Sequence, residues 1–169
     1  MLKRLTLSLA VLVLSTGLAP GPAHASPETA EYWGVQAQKL YKVTAQLLSD
    51  LNTGRTDGLE EDYLDGLADF SVTAGRLAVW VDTSGGAKDF GCIYRGMAEE
   101  AELQLDALET ASDKTEAHTA LTRIATMLDD AQSIAVASAH AARSGISTAP
   151  TGHCPASAIP LDKYLSAGS

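Results

Sequence analysis

Apolar residues along the chain recur at three- and four-residue intervals, the period of an α-helix with one buried face. Four long segments show it. The first spans Pro27 to Asn52, with Trp33, Leu40, Val43, Leu47 and Leu51 on one side. Ser26 is placed to cap it, Pro27 suits the first helical position, and Gly54 can stop it. The second spans Gly58 to Thr83, with Leu64, Leu67, Ser71, Ala74, Ala78 and Val81 in step, widened by Phe70, Leu77 and Trp80. Asp57 and Glu60 have the spacing of a capping box. Gly66 and Gly75 inside this stripe predict a close helix approach or a bend.

The third segment spans Lys88 to Ala111, through Phe90, Tyr94, Met97, Ala101, Leu105 and Leu108. The fourth spans Lys114 to Arg143, through Ala117, Leu121, Ile124, Leu128, Ala131, Ala135, Ser138 and Ala142. Asp113 with Glu116 repeats the capping spacing, and Gly145 can end the helix. No stretch alternates with the period of two that a strand requires. Four amphipathic helices with short links predict an all-α, up-down-up-down four-helix bundle over residues 26–145. Its many Ala and Ser core positions predict close, thin packing. Residues 146–169 form a Pro-, Ser- and Gly-rich tail, expected to be irregular.

The segment before the bundle reads differently. Lys3 and Arg4 precede an apolar run from Leu5 to Leu18, and Ala23-His24-Ala25 is a small-x-small cleavage site. Residues 1–25 are therefore expected to be a cleaved signal peptide, which places the mature protein in a periplasm or outside the cell. The apolar run is short for a membrane span, and no later stretch could cross a bilayer.

That compartment changes the meaning of the two cysteines. Cys92 falls at the start of the third helix and Cys154 in the tail, and an exported chain with two cysteines tends to pair them. The expected disulfide ties the tail back across the bundle end. A redox or thiolate-metal role has less behind it, because the two lie 62 residues apart and form no C-x-x-C motif.

Charge narrows the partners. The chain carries 12 basic and 21 acidic residues, a net charge of −9. Losing Lys3 and Arg4 with the leader leaves ten basic residues against 21 acidic, or −11. This disfavours nucleic acid and anionic membrane surfaces. Glu99, Glu102, Asp106, Glu109 and Asp113 step by three and four along the third helix, with no Lys or Arg between Gly96 and Asp113. Asp62, Asp65 and Asp69 form a shorter stripe on the second. Like charges at such spacings weaken a helix slightly, so the longer stripe is a candidate docking face for a basic partner. The plainer alternative is a solvated face of an acidic protein.

Other chemistry is sparse. His118 and His140 sit about 33 Å apart along one helix, too far to share a metal. His153 beside Cys154, with Met97 near Cys92, could form a soft copper site only with reduced thiols. No catalytic nucleophile motif, phosphate loop, Glu-x-x-His or C-x-x-C-H occurs, so neither an enzyme nor a cofactor is expected. Tyr32 and Trp33 open the first helix and Trp80 closes the second, which predicts an aromatic cluster at one bundle end and a candidate ligand pocket. The functional expectation is an exported, non-enzymatic bundle that binds a basic protein partner. An exported acidic bundle with a late cysteine resembles, in layout, the periplasmic immunity proteins of contact-dependent toxin systems, which implies an inhibitor. The alternative is a periplasmic carrier of a small ligand or metal.

Overall fold

The computed structural model describes residues 25–55, 59–84 and 86–146. These form four helices: α1 (Pro27–Asn52), α2 (Glu61–Ser84), α3 (Lys88–Thr110) and α4 (Lys114–Arg143), with no strand among the described residues. None of the four is long and apolar enough to cross a membrane. Residues 1–24 of the leader, Asp57 and the tail with His153 and Cys154 lie outside the described residues.

Local chemistry sets most of the ends. Ser26 Oγ accepts the Thr29 amide at 3.2 Å, and Pro27 occupies the first turn of α1. Asp113 Oδ1 accepts the amides of Thr115 at 2.7 Å and Glu116 at 2.9 Å. The Glu116 carboxylate reaches back to the Ser112 amide at 2.8 Å, one residue before the position a capping box would use. Gly54 and Gly145 take the left-handed conformation, with φ of 79° and 62°. Each follows its helix's C-cap residue, Thr53 or Ser144, and the next amide returns to a carbonyl of the last turn: Arg55 to Asp50 at 2.9 Å, Ile146 to Ala141 at 3.0 Å. This Schellman arrangement satisfies carbonyls that have no partner within the helix. The start of α2 departs from expectation. It begins at Glu61, three residues later than the periodicity suggests, and the Glu60 carbonyl accepts the first amides, those of Tyr63 and Leu64.

Side-chain contacts fix the topology. Arg143 reaches Glu28 and Glu31, and Gly34 meets Ala135, so α1 and α4 are antiparallel. Trp33 meets Phe70, and Leu40 meets Gly66, which sets α2 antiparallel to α1. Ser71 bonds to Ala98 and Asp82 to Arg95 between α2 and α3. Tyr94 bonds to Ser138 and Glu100 to Arg123 between α3 and α4. Each helix packs its backbone closely against its two neighbours, while the Trp33 and Tyr94 side chains meet across the diagonal between α1 and α3. This is the contact pattern of an up-down-up-down bundle. The α1·α4 and α2·α3 pairs pack most extensively, and α1·α2 least.

The face that α1 buries differs from the one its apolar pattern marks out. Its buried residues are Ala30, Trp33, Gly34, Ala37 and Thr44. Leu40, Leu47 and Leu51 are only partly covered, and Val43 is 45% exposed. The reason is distance of approach. Ala30, Gly34 and Ala37 present no bulk, so α4 comes close along them, and a Cβ added at Gly34 would lie 2.7 Å from the Ala135 Cβ. Turning this face to α4 rotates the larger apolar stripe toward the loosely packed α2 side.

The core's centre is aromatic. Trp33 stacks on Phe70 with ring centroids 4.6 Å apart and meets the Tyr94 edge at 5.2 Å. Its Nε1 donates to the Phe70 carbonyl at 3.0 Å, so the buried indole N–H has a partner. Ser138 Oγ donates to the Ala135 carbonyl, which leaves the Tyr94 hydroxyl to donate to Ser138. Burial pushes the Tyr94 phenol up to about 12.

Candidate functional site

A groove of about 560 Å³ opens between α1 and α2, along the weakest of the four helix interfaces. From α1 it takes Tyr32, Trp33, Gln36, Lys39, Leu40 and Val43. From α2 it takes Asp62, Tyr63, Gly66, Asp69, Phe70, Thr73 and Arg76, with Glu60 at the lip. Gly66 helps to form the floor, since a Cβ there would lie 3.0 Å from Leu40 Cδ2. Thr44 Oγ1 donates to the Leu40 carbonyl at 2.8 Å, so the Tyr63 hydroxyl donates to Thr44 at 2.9 Å. Burial raises the Tyr63 phenol above its ordinary value.

Below this groove lies a second hollow of about 370 Å³, bounded by Leu47, Leu51, Leu59, Ala117 and Leu121. Val43, Glu60 and Tyr63 border both, so the two run together down the α1 side of the bundle. Asp50 and Arg55, an ion pair, mark the far end.

The two lips carry different charge. Along α2, Glu60, Glu61, Asp62, Asp65 and Asp69 are all exposed, and the sequence has no Lys or Arg between Arg55 and Arg76. The α1 lip presents Lys39 with the neutral Gln36 and Gln46.

The aromatic residues singled out by sequence divide. Tyr32 lines the groove and is 65% exposed, while Trp33 forms part of its inner wall and of the core. Trp80 is partly buried against the core and does not line the groove. The aromatic partners of Trp33 are instead Phe70 and Tyr94.

The α3 acidic stripe also divides. Glu102 is partly buried and accepts a bond from Ser71 at 3.2 Å, and Glu99 is likewise partly buried and engaged. The neighbouring Glu100 holds Arg123 of α4 at 2.7 Å. Asp113 caps α4. Asp106 and Glu109 remain as exposed carboxylates. The shorter α2 stripe is thus the better exposed of the two, and it borders the α1/α2 groove.

Cys92 is partly buried in α3, and its expected partner Cys154 lies outside the described residues. His118 and His140 sit toward opposite ends of α4. Among the described residues no group of three or more His, Cys, Asp or Glu side chains could hold a metal ion. The groove residues that sequence reading missed are chiefly Gln36, Lys39, Gly66, Thr73 and Arg76. Their signal is a four-three-four-three step, Asp62, Gly66, Asp69, Thr73 and Arg76, of polar and small residues flanking the apolar face of α2. Comparison with protein-family models, curated proteins and solved structures finds no match.

Proposed function

We propose that this chain is an exported, non-enzymatic helical-bundle protein that binds a basic protein partner, in the manner of an inhibitor or immunity protein. The observation that carries the reading is the run of exposed carboxylates Glu60, Glu61, Asp62, Asp65 and Asp69, uninterrupted by any cation and bordering an aromatic groove. A surface needing only solubility would mix in lysines at no cost. A run of like charge such as Glu60 to Asp69 steers an oppositely charged partner and raises its rate of encounter. Asp106 and Glu109 on neighbouring α3 extend the acidic surface.

Export follows from the leader, and periplasmic or secreted placement makes a Cys92–Cys154 disulfide the favoured state. In support, there is no free cysteine among the described residues. Loop-closure entropy for a loop of this size gives about 4 kcal/mol of stabilisation. The second reading, a carrier of a small ligand, is favoured by one observation: the groove volume of about 560 Å³ lies in the range of small-ligand clefts.

The test is native mass spectrometry on protein purified gently from its own compartment, followed by affinity capture at two salt concentrations. The expected result is cleavage after Ala25, a mass two hydrogens below the dithiol form, and a stoichiometric basic protein that dissociates at high salt. Glu60→Gln/Asp62→Asn/Asp69→Asn should lose that protein, and Asp106→Asn/Glu109→Gln should retain most of it. Capture unchanged in both variants sinks the reading. A bound small molecule in place of a protein favours the carrier.

A further inference from the structure

We propose that the α1/α2 groove receives an amphipathic helix of the partner, with its basic flank laid against the α2 lip. This rests on the partner-binding reading above and names the part of the partner that the groove fits.

Four observations lead there. First, α1 has an apolar stripe that the bundle leaves partly uncovered: Tyr32, Leu40, Val43 and Leu47, with Tyr32 65% and Val43 45% exposed. Its small-residue face already holds α4, so rotating α1 to bury the stripe would break the Gly34–Ala135 contact. Only an added element can cover it.

Second, the hollow is long. From Tyr32 to Leu51 it follows α1 for 19 residues, about 29 Å at the rise of an α-helix. That matches a partner helix of about five turns and exceeds what a compact small molecule would fill.

Third, apart from Arg55, Leu59 and Glu60 the lining residues belong to helices, whose interior amides and carbonyls are already bonded. An extended peptide would find no sheet edge to pair with, and its own backbone groups would be buried without partners. A helix brings its backbone bonds with it and needs only an apolar stripe at i, i+3, i+4 and i+7.

Fourth, the lips are electrically unequal. The α2 lip carries Glu60, Asp62 and Asp69, with Arg76 beyond them at one end, and the α1 lip carries Lys39 between glutamines. An amphipathic helix with Lys or Arg along one flank and neutral or acidic residues along the other is matched in one orientation and mismatched in the reverse. This asymmetry selects a partner beyond the general attraction that a net charge of −9 exerts on any cation.

The experiment is selection of a displayed library of 20-residue peptides against the full chain, produced with its own leader. Recovered peptides are measured by titration calorimetry against wild type, Val43→Asp and Asp62→Asn/Asp69→Asn. These side chains are exposed, and circular dichroism checks that each variant keeps its helix content. The expected consensus has apolar anchors at i, i+3, i+4 and i+7 with basic residues on one flank only. Each variant should weaken binding at least tenfold, and Val43→Asp should do so at high salt as well.

Peptides enriched only for positive charge, binding Val43→Asp as tightly as wild type, overturn the groove proposal while leaving partner binding by the acidic surface intact. Recovery of no peptide overturns it as well. So does a protein dimer that Val43→Asp dissociates, or binding that appears only after removal of residues 147–169, since either assigns the groove to another occupant. Failure of the partner-capture experiment with these peptides still binding would instead overturn the partner reading.

Discussion

A glycine series tests the packing argument on which the groove depends. Gly34, Gly66 and Gly96 all lie inside helices, and replacing any of them by Ala raises helix propensity by about 1 kcal/mol. They differ in what the new methyl meets. At Gly34 it lies 2.7 Å from the Ala135 Cβ, an atom fixed to the backbone of α4. Carbon atoms in contact prefer roughly 3.5–4.0 Å, so the two helices must separate by about 1 Å along the seam. Overpacking of this kind costs about 1–3 kcal/mol, and a backbone-to-backbone contact belongs at the upper end. Gly34→Ala should therefore destabilise by about 2 kcal/mol after the propensity gain.

At Gly66 the nearest atom is Leu40 Cδ2 at 3.0 Å, the tip of a partly exposed side chain that can turn away. Gly66→Ala should come out near neutral. At Gly96 nothing lies within 4 Å, and Gly96→Ala should stabilise by about 1 kcal/mol. The spread from Gly34 to Gly96 is then about 3 kcal/mol, or roughly 12 °C in melting temperature for a bundle of this length. Urea denaturation followed by circular dichroism measures it. A cycle with Ala135→Gly isolates the contact: removing the facing methyl should recover more than about 1 kcal/mol of the Gly34→Ala loss. A Gly34→Ala protein as stable as wild type, or a cycle without coupling, would refute the close α1·α4 seam and with it the rotation that uncovers the groove.

The remaining predictions concern the core and the pH limits. Trp33→Phe keeps a ring on Phe70 but loses the indole donor to the Phe70 carbonyl; it should cost about 1–3 kcal/mol, against about 3–5 kcal/mol for Trp33→Ala, in the same urea assay. The Tyr94 phenol stands at about 12 when folded and near 10 when unfolded, so between those values the folded state holds the extra proton. Stability should fall as pH rises through that window, by up to about 1.4 kcal/mol per pH unit, and Tyr94→Phe should flatten the fall. At the acid end, the Arg143 guanidinium holds the Glu31 carboxyl below its ordinary 4.5. The backbone amide of Glu28 itself, and then Arg143, do the same for the Glu28 carboxyl. Their stabilisation is present above 4.5 and is lost as pH falls through the lowered values. Arg143→Gln should remove most of the Glu31 share of this acid sensitivity and only part of the Glu28 share, as read from melting temperature against pH.

How far the sequence reveals this fold depends on which interaction decides each feature. Helix ends set by local chemistry are legible. Ser26 and Asp113 cap as their spacing implies, Gly54 and Gly145 stop their helices, and α4 runs from Lys114 to Arg143 as its periodicity indicates. The buried face of α1 is not legible in the same way. A reading weighted by side-chain size follows Leu40, Val43, Leu47 and Leu51, while the seam is decided by how closely Ala30, Gly34 and Ala37 let α4 approach. Hydrophobic periodicity gives the helix but not its rotation when two faces compete, one large and one small.

The same competition hides the candidate site. Along α3 the carboxylates from Glu99 to Asp113 form the longer stripe, and Asp113 is spent on its legible local cap of α4, but two other partners lie far away in the chain. Ser71 takes Glu102, and Arg123 takes the adjacent Glu100. No one-dimensional pattern contains those two contacts. The α2 stripe is shorter, but it stands at the least extensively packed of the four helix interfaces, beside apolar side chains that α1 has turned away from α4. An acidic stripe acquires binding value from what lies next to it: carboxylates over water give steering alone, whereas carboxylates along an apolar groove give steering and a surface to desolvate. The close α1·α4 seam and the open α1/α2 groove thus have a common origin in the small residues of α1. A substitution that alters the first should be felt at the second.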